Sequence, residues 1–121
     1  MRYQVWGSDF VTTKPKLLAQ LYPAAATPSN LYDCPADIPA TIVSSLAICN
    51  QGAADDAVRV SISAAGSATA SKDYLYYDLP LPGHDTFVAS IDITLMAGDI
   101  LRVRSTTGTT SFNLFGTLEY Q

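Results

Sequence analysis

The sequence predicts an all-β protein, an antiparallel β-sandwich of jelly-roll type, and three observations carry that prediction. Apolar residues recur at every second position in separate segments: Val58, Val60, Ile62 and Ala64 alternate with Arg59, Ser61 and Ser63, and Phe87, Ala89, Ile91, Ile93 and Leu95 alternate with Val88, Ser90, Asp92 and Thr94. A period of two marks a strand with one buried face. Turn-forming Pro, Gly, Asn and Asp fall between the segments and divide the chain into about eight strands, at the roughly 8 to 12 residue spacing of sandwich folds. No helical stripe of useful length interrupts them, and charged residues make up only 15% of the chain while Thr, Ser, Ala and β-branched residues abound. Two sheets packed face to face bury all of these apolar faces together.

With 121 residues the chain is one domain, long enough to bury roughly two-thirds of the surface its unfolded form exposes. Residues 1–16 differ from the rest. Tyr3, Val5, Trp6, Phe10 and Val11 lie among polar residues, and Lys14, Pro15 and Lys16 close the segment against regular pairing. The segment reads as an N-terminal extended arm ahead of a sandwich domain at 17–121. Its aromatic residues are too costly to leave in water. Either it is the first edge strand of its own sheet, or Tyr3, Trp6 and Phe10 dock onto a neighbouring subunit.

Residues 17–22 form a short apolar run ended by Pro23, and a strand at Leu31 and Tyr32 reaches Cys34 before Pro35 and Pro39 interrupt it. Residues 41–49 are apolar on both parities, the pattern of a central strand covered from two sides. The alternating 58–64 segment presents its polar face outward. Residues 65–72, all small or polar, read as a loop that is mobile or lies flat on a partner. The DYLYYDL segment at 73–79 is an aromatic strand ended by Pro80, Pro82 and Gly83. In it Tyr74 and Tyr76 share one face, a surface for stacking sugar rings or contacting a partner, while Tyr77 points the other way with Leu75 and Leu79. Two last strands around Ile100, Leu101 and Val103 and around Phe112, Leu114, Gly116 and Leu118 pair as a hairpin through 106–109.

The residues offer no catalytic constellation. His84 is the one histidine, so a metal site or a Ser/His/Asp triad would have to be built around it alone, and its Pro-Gly-His-Asp turn setting reads as a solvated loop histidine. Asp55 with Asp56, and Asp73 with Asp78, are carboxylate pairs without the dense oxygen spacing of a calcium loop. A net charge of -4 with seven scattered basic residues argues against nucleic-acid binding. No run reaches the roughly 18 apolar residues of a membrane span. Met1, Arg2 and Tyr3 lead into Gln4 with no apolar core of a signal peptide, which points to folding in a cytoplasm. Cys34 and Cys49 are either two small buried apolar residues or a disulfide between neighbouring strands. Neither enzyme activity nor a cofactor is expected.

Four motifs occur in order: Leu31, Tyr32 and Pro35; Val43, Ser44, Ser45, Leu46, Cys49 and Asn50; YLYYDLP at 74–80; and SFNLFG at 111–116. Across residues 17–119 the chain thereby resembles a group of small phage virion proteins, the last motif being the most specific. It departs from the group at 33–39, where CPADIP is less glycine-rich, and the arm has no counterpart there. The closing strands are also similar to those of the tumour-necrosis-factor and complement-head jelly rolls, which form trimers, a likeness of fold and not of function.

The resemblance implies a bacteriophage structural protein. It would be a capsid decoration or cement protein in the virion, assembled in the host cytoplasm, a homotrimer whose partners are the major capsid protein or other virion subunits. The alternatives are a tail, neck or fibre component, or a module binding host-surface glycans. The contact residues expected are Tyr3, Trp6, Phe10, Tyr74 and Tyr76.

Overall fold

Prolines set the first strand limits, since a residue without an N–H is confined to strand ends and sheet edges. Pro23, Pro28, Pro35 and Pro39 all fall between strands in the computed structural model, which describes residues 15–119. Within that range the strands are β1 (Lys16–Leu21), β2 (Ser29–Asp33), β3 (Ala40–Asn50), β4 (Asp56–Ser63), β5 (Tyr74–Leu81), β6 (Thr86–Met96), β7 (Ile100–Ser105) and β8 (Thr110–Glu119). Pro80, expected to end its strand, instead lies inside the edge strand β5, opposite Ala57. Short 3-10 turns at Ala64–Gly66 and Ser71–Asp73 lie between β4 and β5. β1 starts at Lys16, one residue before the expected domain limit, and the arm with Tyr3, Trp6 and Phe10 lies outside the described residues.

A first sheet has the order β1-β8-β3-β6 and a second the order β2-β7-β4-β5, with every neighbouring pair antiparallel. The pairs β4–β5, β3–β6, β2–β7 and β1–β8 nest inside one another, and β3–β8 and β4–β7 join them into sheets. This is the connectivity of an eight-stranded jelly roll, as the sequence predicts. The core lies between the sheets, where Val43, Leu46, Ile48, Phe112 and Leu114 of the first meet Val58, Val60, Leu101 and Val103 of the second.

The last two strands do not form the expected hairpin. β7 lies between β2 and β4, β8 lies between β1 and β3, and residues 106–109 cross from one sheet to the other. Alternation reports which face of a strand is buried but not which strand lies beside it. The crossing is held by Asp56 on β4. Its Oδ1 accepts from the Thr107 N–H at 3.0 Å, and its Oδ2 accepts from the Ser105 and Thr110 hydroxyls, both at 2.5 Å. Gly108 completes the turn at φ +75°.

β3 is central, but the apolar residues of both parities do not face two covered sides. Register against both β6 and β8 shifts between Val43 and Ser45, so Thr41 and Val43 point inward before the bulge and Leu46, Ile48 and Asn50 after it. One bulge, closed by the Ser44 hydroxyl donating to the Phe115 carbonyl at 3.2 Å, moves the inward set from odd to even positions.

On β4 the expected alternation holds, but its polar face is not open. Ser61 and Ser63 are 3% and 0% exposed, because the segment after β4 folds back over them. Arg102 of β7 ties it down, with Nη1 donating to Ser63 Oγ at 2.8 Å, Ser67 O at 2.9 Å and Thr69 Oγ1 at 3.1 Å. Asp99 Oδ1 accepts from the Ala65 N–H at 2.9 Å. The 65–72 loop therefore lies flat on its own domain, and Ala64 begins a turn instead of ending the strand.

Candidate functional site

Each sheet turns one face to the core and one outward, and the two outward faces differ in chemistry. On the first sheet, Asp92 and Glu119 are the only charged side chains of β3, β6 and β8. Register places Ile42, Ala47 and Phe115 on its outer face with Val88 and Met96. Val88 is 59% and Met96 56% exposed, and Leu17 on β1, opposite Phe115, is 46% exposed. Polar order at the β1 edge comes from Gln20 Nε2 donating to Asn113 Oδ1 at 2.7 Å. A wide, open depression beside it is lined by Gln20, Tyr22, Ser111 and Asn113.

The second sheet gathers three arginines on its two middle strands, β4 and β7. Arg59 on β4 stands directly across the ladder from Arg104 on β7, with Arg102 two residues along opposite Ser61. Like charges directly opposite repel; Asp78 hydrogen-bonds one member of the pair and attracts the other through space. It accepts from Arg59 Nε at 2.7 Å and from Nη2 at 3.3 Å. The Asp78 carboxyl is thereby held below its ordinary pKa and the Arg59 guanidinium above its own, in each case chiefly by that hydrogen bond. Arg104 Nη1 donates to the Thr106 hydroxyl at 3.0 Å and Arg102 Nε to Asn30 Oδ1 at 2.9 Å. Among the described residues neither Arg102 nor Arg104 reaches a carboxylate. The three arginines, with Pro28, Ser61, Thr69, Tyr74 and Val103, line a cavity of about 100 Å³.

The tyrosines fall differently from the expected pairing. Register on β5 shifts twice against β4, between Val58 and Val60 and between Val60 and Ser61, and Asp78 takes φ +54°. Tyr76 therefore faces Val60 and the core, edge-on to Phe87 of the opposite sheet with ring centroids 5.8 Å apart. Tyr74 pairs with Ser61 on the outer face, and Tyr77 joins it there, edge-on at 4.9 Å. The Arg59 guanidinium lies over the Tyr77 ring at 4.1 Å. The outward pair is Tyr74 with Tyr77, not Tyr74 with Tyr76. Strict alternation fails because each bulge inserts a residue that reverses the parity beyond it.

The carboxylates serve the fold. Burial pushes the Asp56 pKa up, but hydrogen bonds from Ser105, Thr110, Thr107 and Ala57 oppose it and hold the carboxyl below its ordinary value. Asp55 accepts instead from the Gly83 N–H at 3.2 Å. Asp73 is held below its ordinary pKa chiefly by the Ala70 N–H, and Asp78 serves Arg59, so this pair has separate partners. His84 is exposed at the tip of its turn. Among the described residues no three His, Cys, Asp or Glu side chains converge as a metal site, and no helix is long and apolar enough to cross a membrane.

Cys34 and Cys49 are both free thiols. Cys34 Sγ lies 3.4 Å from Thr41 Oγ1 at the start of β3. Cys49 is at the far end of that strand, about 26 Å away at 3.3 Å per residue. A disulfide needs Cα atoms within about 7 Å. Only Cys34 is fully buried; Cys49 is half-buried on the outer face.

The arginine cluster is what reading the sequence in order misses. Arg59, Arg102 and Arg104 each stand at outward positions, yet nothing local says that β4 and β7 are neighbours. Fold and site together define a disulfide-free jelly-roll domain with one charge-poor face and one face that bears an arginine-lined cavity. No protein-family model and no curated protein matches the chain, and its role is read from these two faces.

Proposed function

We propose that this chain is a structural protein of a bacteriophage particle, a capsid decoration protein that bridges neighbouring shell subunits as a homotrimer. The outer face of the first sheet supports the reading: it is nearly uncharged and carries Leu17, Val88 and Met96 in water. Apolar side chains grouped on one sheet face suit contact with another subunit. A jelly roll with such a face suits closed assembly, and three copies acting together make each weak contact to the shell effective. The aromatic residues Tyr3, Trp6 and Phe10, ahead of β1, would supply the extension that reaches a neighbour.

The test is the mass of the full chain in solution together with its copy number in purified particles. A trimer present in hundreds of copies is expected. Replacing Val88 and Met96 together by Asp should yield monomers whose melting temperature stays within a few degrees of the parent, since both side chains lie outside the core. A monomeric parent chain, or about six to eighteen copies per particle, would overturn the decoration reading in favour of a tail or neck component.

A further inference from the structure

We propose that the cavity on the outer face of the second sheet is a binding site for a small acidic saccharide, a sugar ring bearing a carboxylate. The inference rests on that cavity alone and is independent of the virion reading.

The first argument is electrostatic. Arg59 and Arg104 are forced side by side by strand register; Asp78 hydrogen-bonds Arg59 and attracts Arg104 only through space, leaving the Arg104 guanidinium without a carboxylate in contact among the described residues. Arg102 adds a third guanidinium whose partners, Asn30, Ser63, Ser67 and Thr69, are all neutral. In a chain of net charge -4, three arginines at one cavity are a local inversion of sign. Among the described residues, Nε and Nη2 of Arg104 and Nη2 of Arg102 donate to nothing. A carboxylate placed between them takes a charge-assisted, forked hydrogen bond.

The second argument concerns what surrounds the cations. Tyr74 and Pro28 provide apolar wall beside the guanidinium groups, and Ser61 and Thr69 contribute hydroxyls. A bare inorganic anion would leave that wall without a partner. A pyranose ring presents C–H groups to the tyrosine and hydroxyls to Ser61 and Thr69, and its carboxylate to the arginines. The volume, about 100 Å³, is well below the roughly 300–1,000 Å³ of pockets that engulf a drug-sized ligand. One ring, partly exposed, fits it, as the terminal residue of a glycan would be presented.

Two of the three guanidinium groups are pre-ordered. Arg102 is fixed by four hydrogen bonds, and Arg59 by its carboxylate and the face of Tyr77. Little side-chain freedom is then lost on binding.

The test is a titration of the full chain, followed by backbone amide chemical shifts, with N-acetylneuraminate and glucuronate. N-acetylglucosamine, acetate and inorganic phosphate serve as comparison ligands. The two sugar acids are expected to shift amides of β4, β7 and residues 67–74, and to bind at least about tenfold more tightly than the neutral sugar or the bare anions. Arg104→Gln should weaken sugar-acid binding by about tenfold or more without changing the melting temperature, and Arg104→Lys by less. Tyr74→Ala should reduce sugar-acid binding while leaving acetate unchanged. Phosphate or acetate binding as tightly as the sugar acids would overturn the saccharide assignment. Failure of the parent chain to bind either sugar acid, or binding indifferent to Arg104→Gln, would overturn the site.

Discussion

Asp56 illustrates how one residue holds a fold together. It is 4% exposed and accepts four hydrogen bonds, two from hydroxyls and two from backbone N–H groups. Those donors belong to β4, to β7, to the crossing turn and to β8, so a single carboxylate fastens the place where the chain changes sheets. In Asp56→Asn the amide can still accept from the Ala57 and Thr107 N–H groups, but its NH₂ then faces the Ser105 and Thr110 hydroxyls and two charge-assisted bonds are lost. The expected cost is about 2–3 kcal/mol in urea unfolding. The pH dependence follows from the same group. Because its folded pKa lies below the unfolded value, its contribution is present above about pH 5 and is lost as pH falls through about 4 and below. Asp73 and Asp78 shift in the same direction. The urea midpoint of the parent should fall below pH 4, and that of Asp56→Asn should fall less steeply.

At the scale of elements, bulges decide which side chains meet. The shift at Ser44 lets β3 put Val43 and Leu46 into one core, and Gly116 of β8 sits directly opposite Val43 at that point. A methyl group at Gly116 would fall on the Ile42 carbonyl oxygen and crowd the Leu18 side chain. Gly116→Ala should therefore force β3 and β8 apart at the register shift, costing about 1–3 kcal/mol or more. A melting temperature equal to the parent's would show that the ladder yields there without cost. The bulges of β5 act in the same way on chemistry. They send Tyr76 to the core and bring Tyr77 beside Tyr74, with its ring under Arg59.

For the whole molecule, the jelly roll keeps its ends apart and its faces distinct. The two thiols stand at opposite ends of β3, so stability owes nothing to a disulfide. A reducing agent should leave the melting temperature unchanged, and a drop would require a covalent link between them. Under native conditions a thiol reagent should label Cys49, half-buried on the surface of the first sheet, well before Cys34, which is 3% exposed. The charge-poor face of one sheet and the arginine-lined face of the other lie on opposite sides of a single core. A subunit contact and a ligand can thus occupy the domain together.

The sequence by itself determined the all-β class and the positions of the strands. Alternating burial and proline or glycine punctuation are local properties, readable at Val58 to Val60 or Phe87 to Leu95 without a partner strand. It also placed Arg59, with Ser61 and Ser63, on an outward face. Only the tertiary structure decided that β7 and β8 part into different sheets, that β4 and β7 lie side by side, and that three arginines far apart in sequence share one cavity. Strand neighbours depend on long-range pairing, and a bulge such as those at Ser44 and within β5 reverses every side chain beyond it. Residue order specifies a face only up to the next such irregularity, and packing settles what lies across from it.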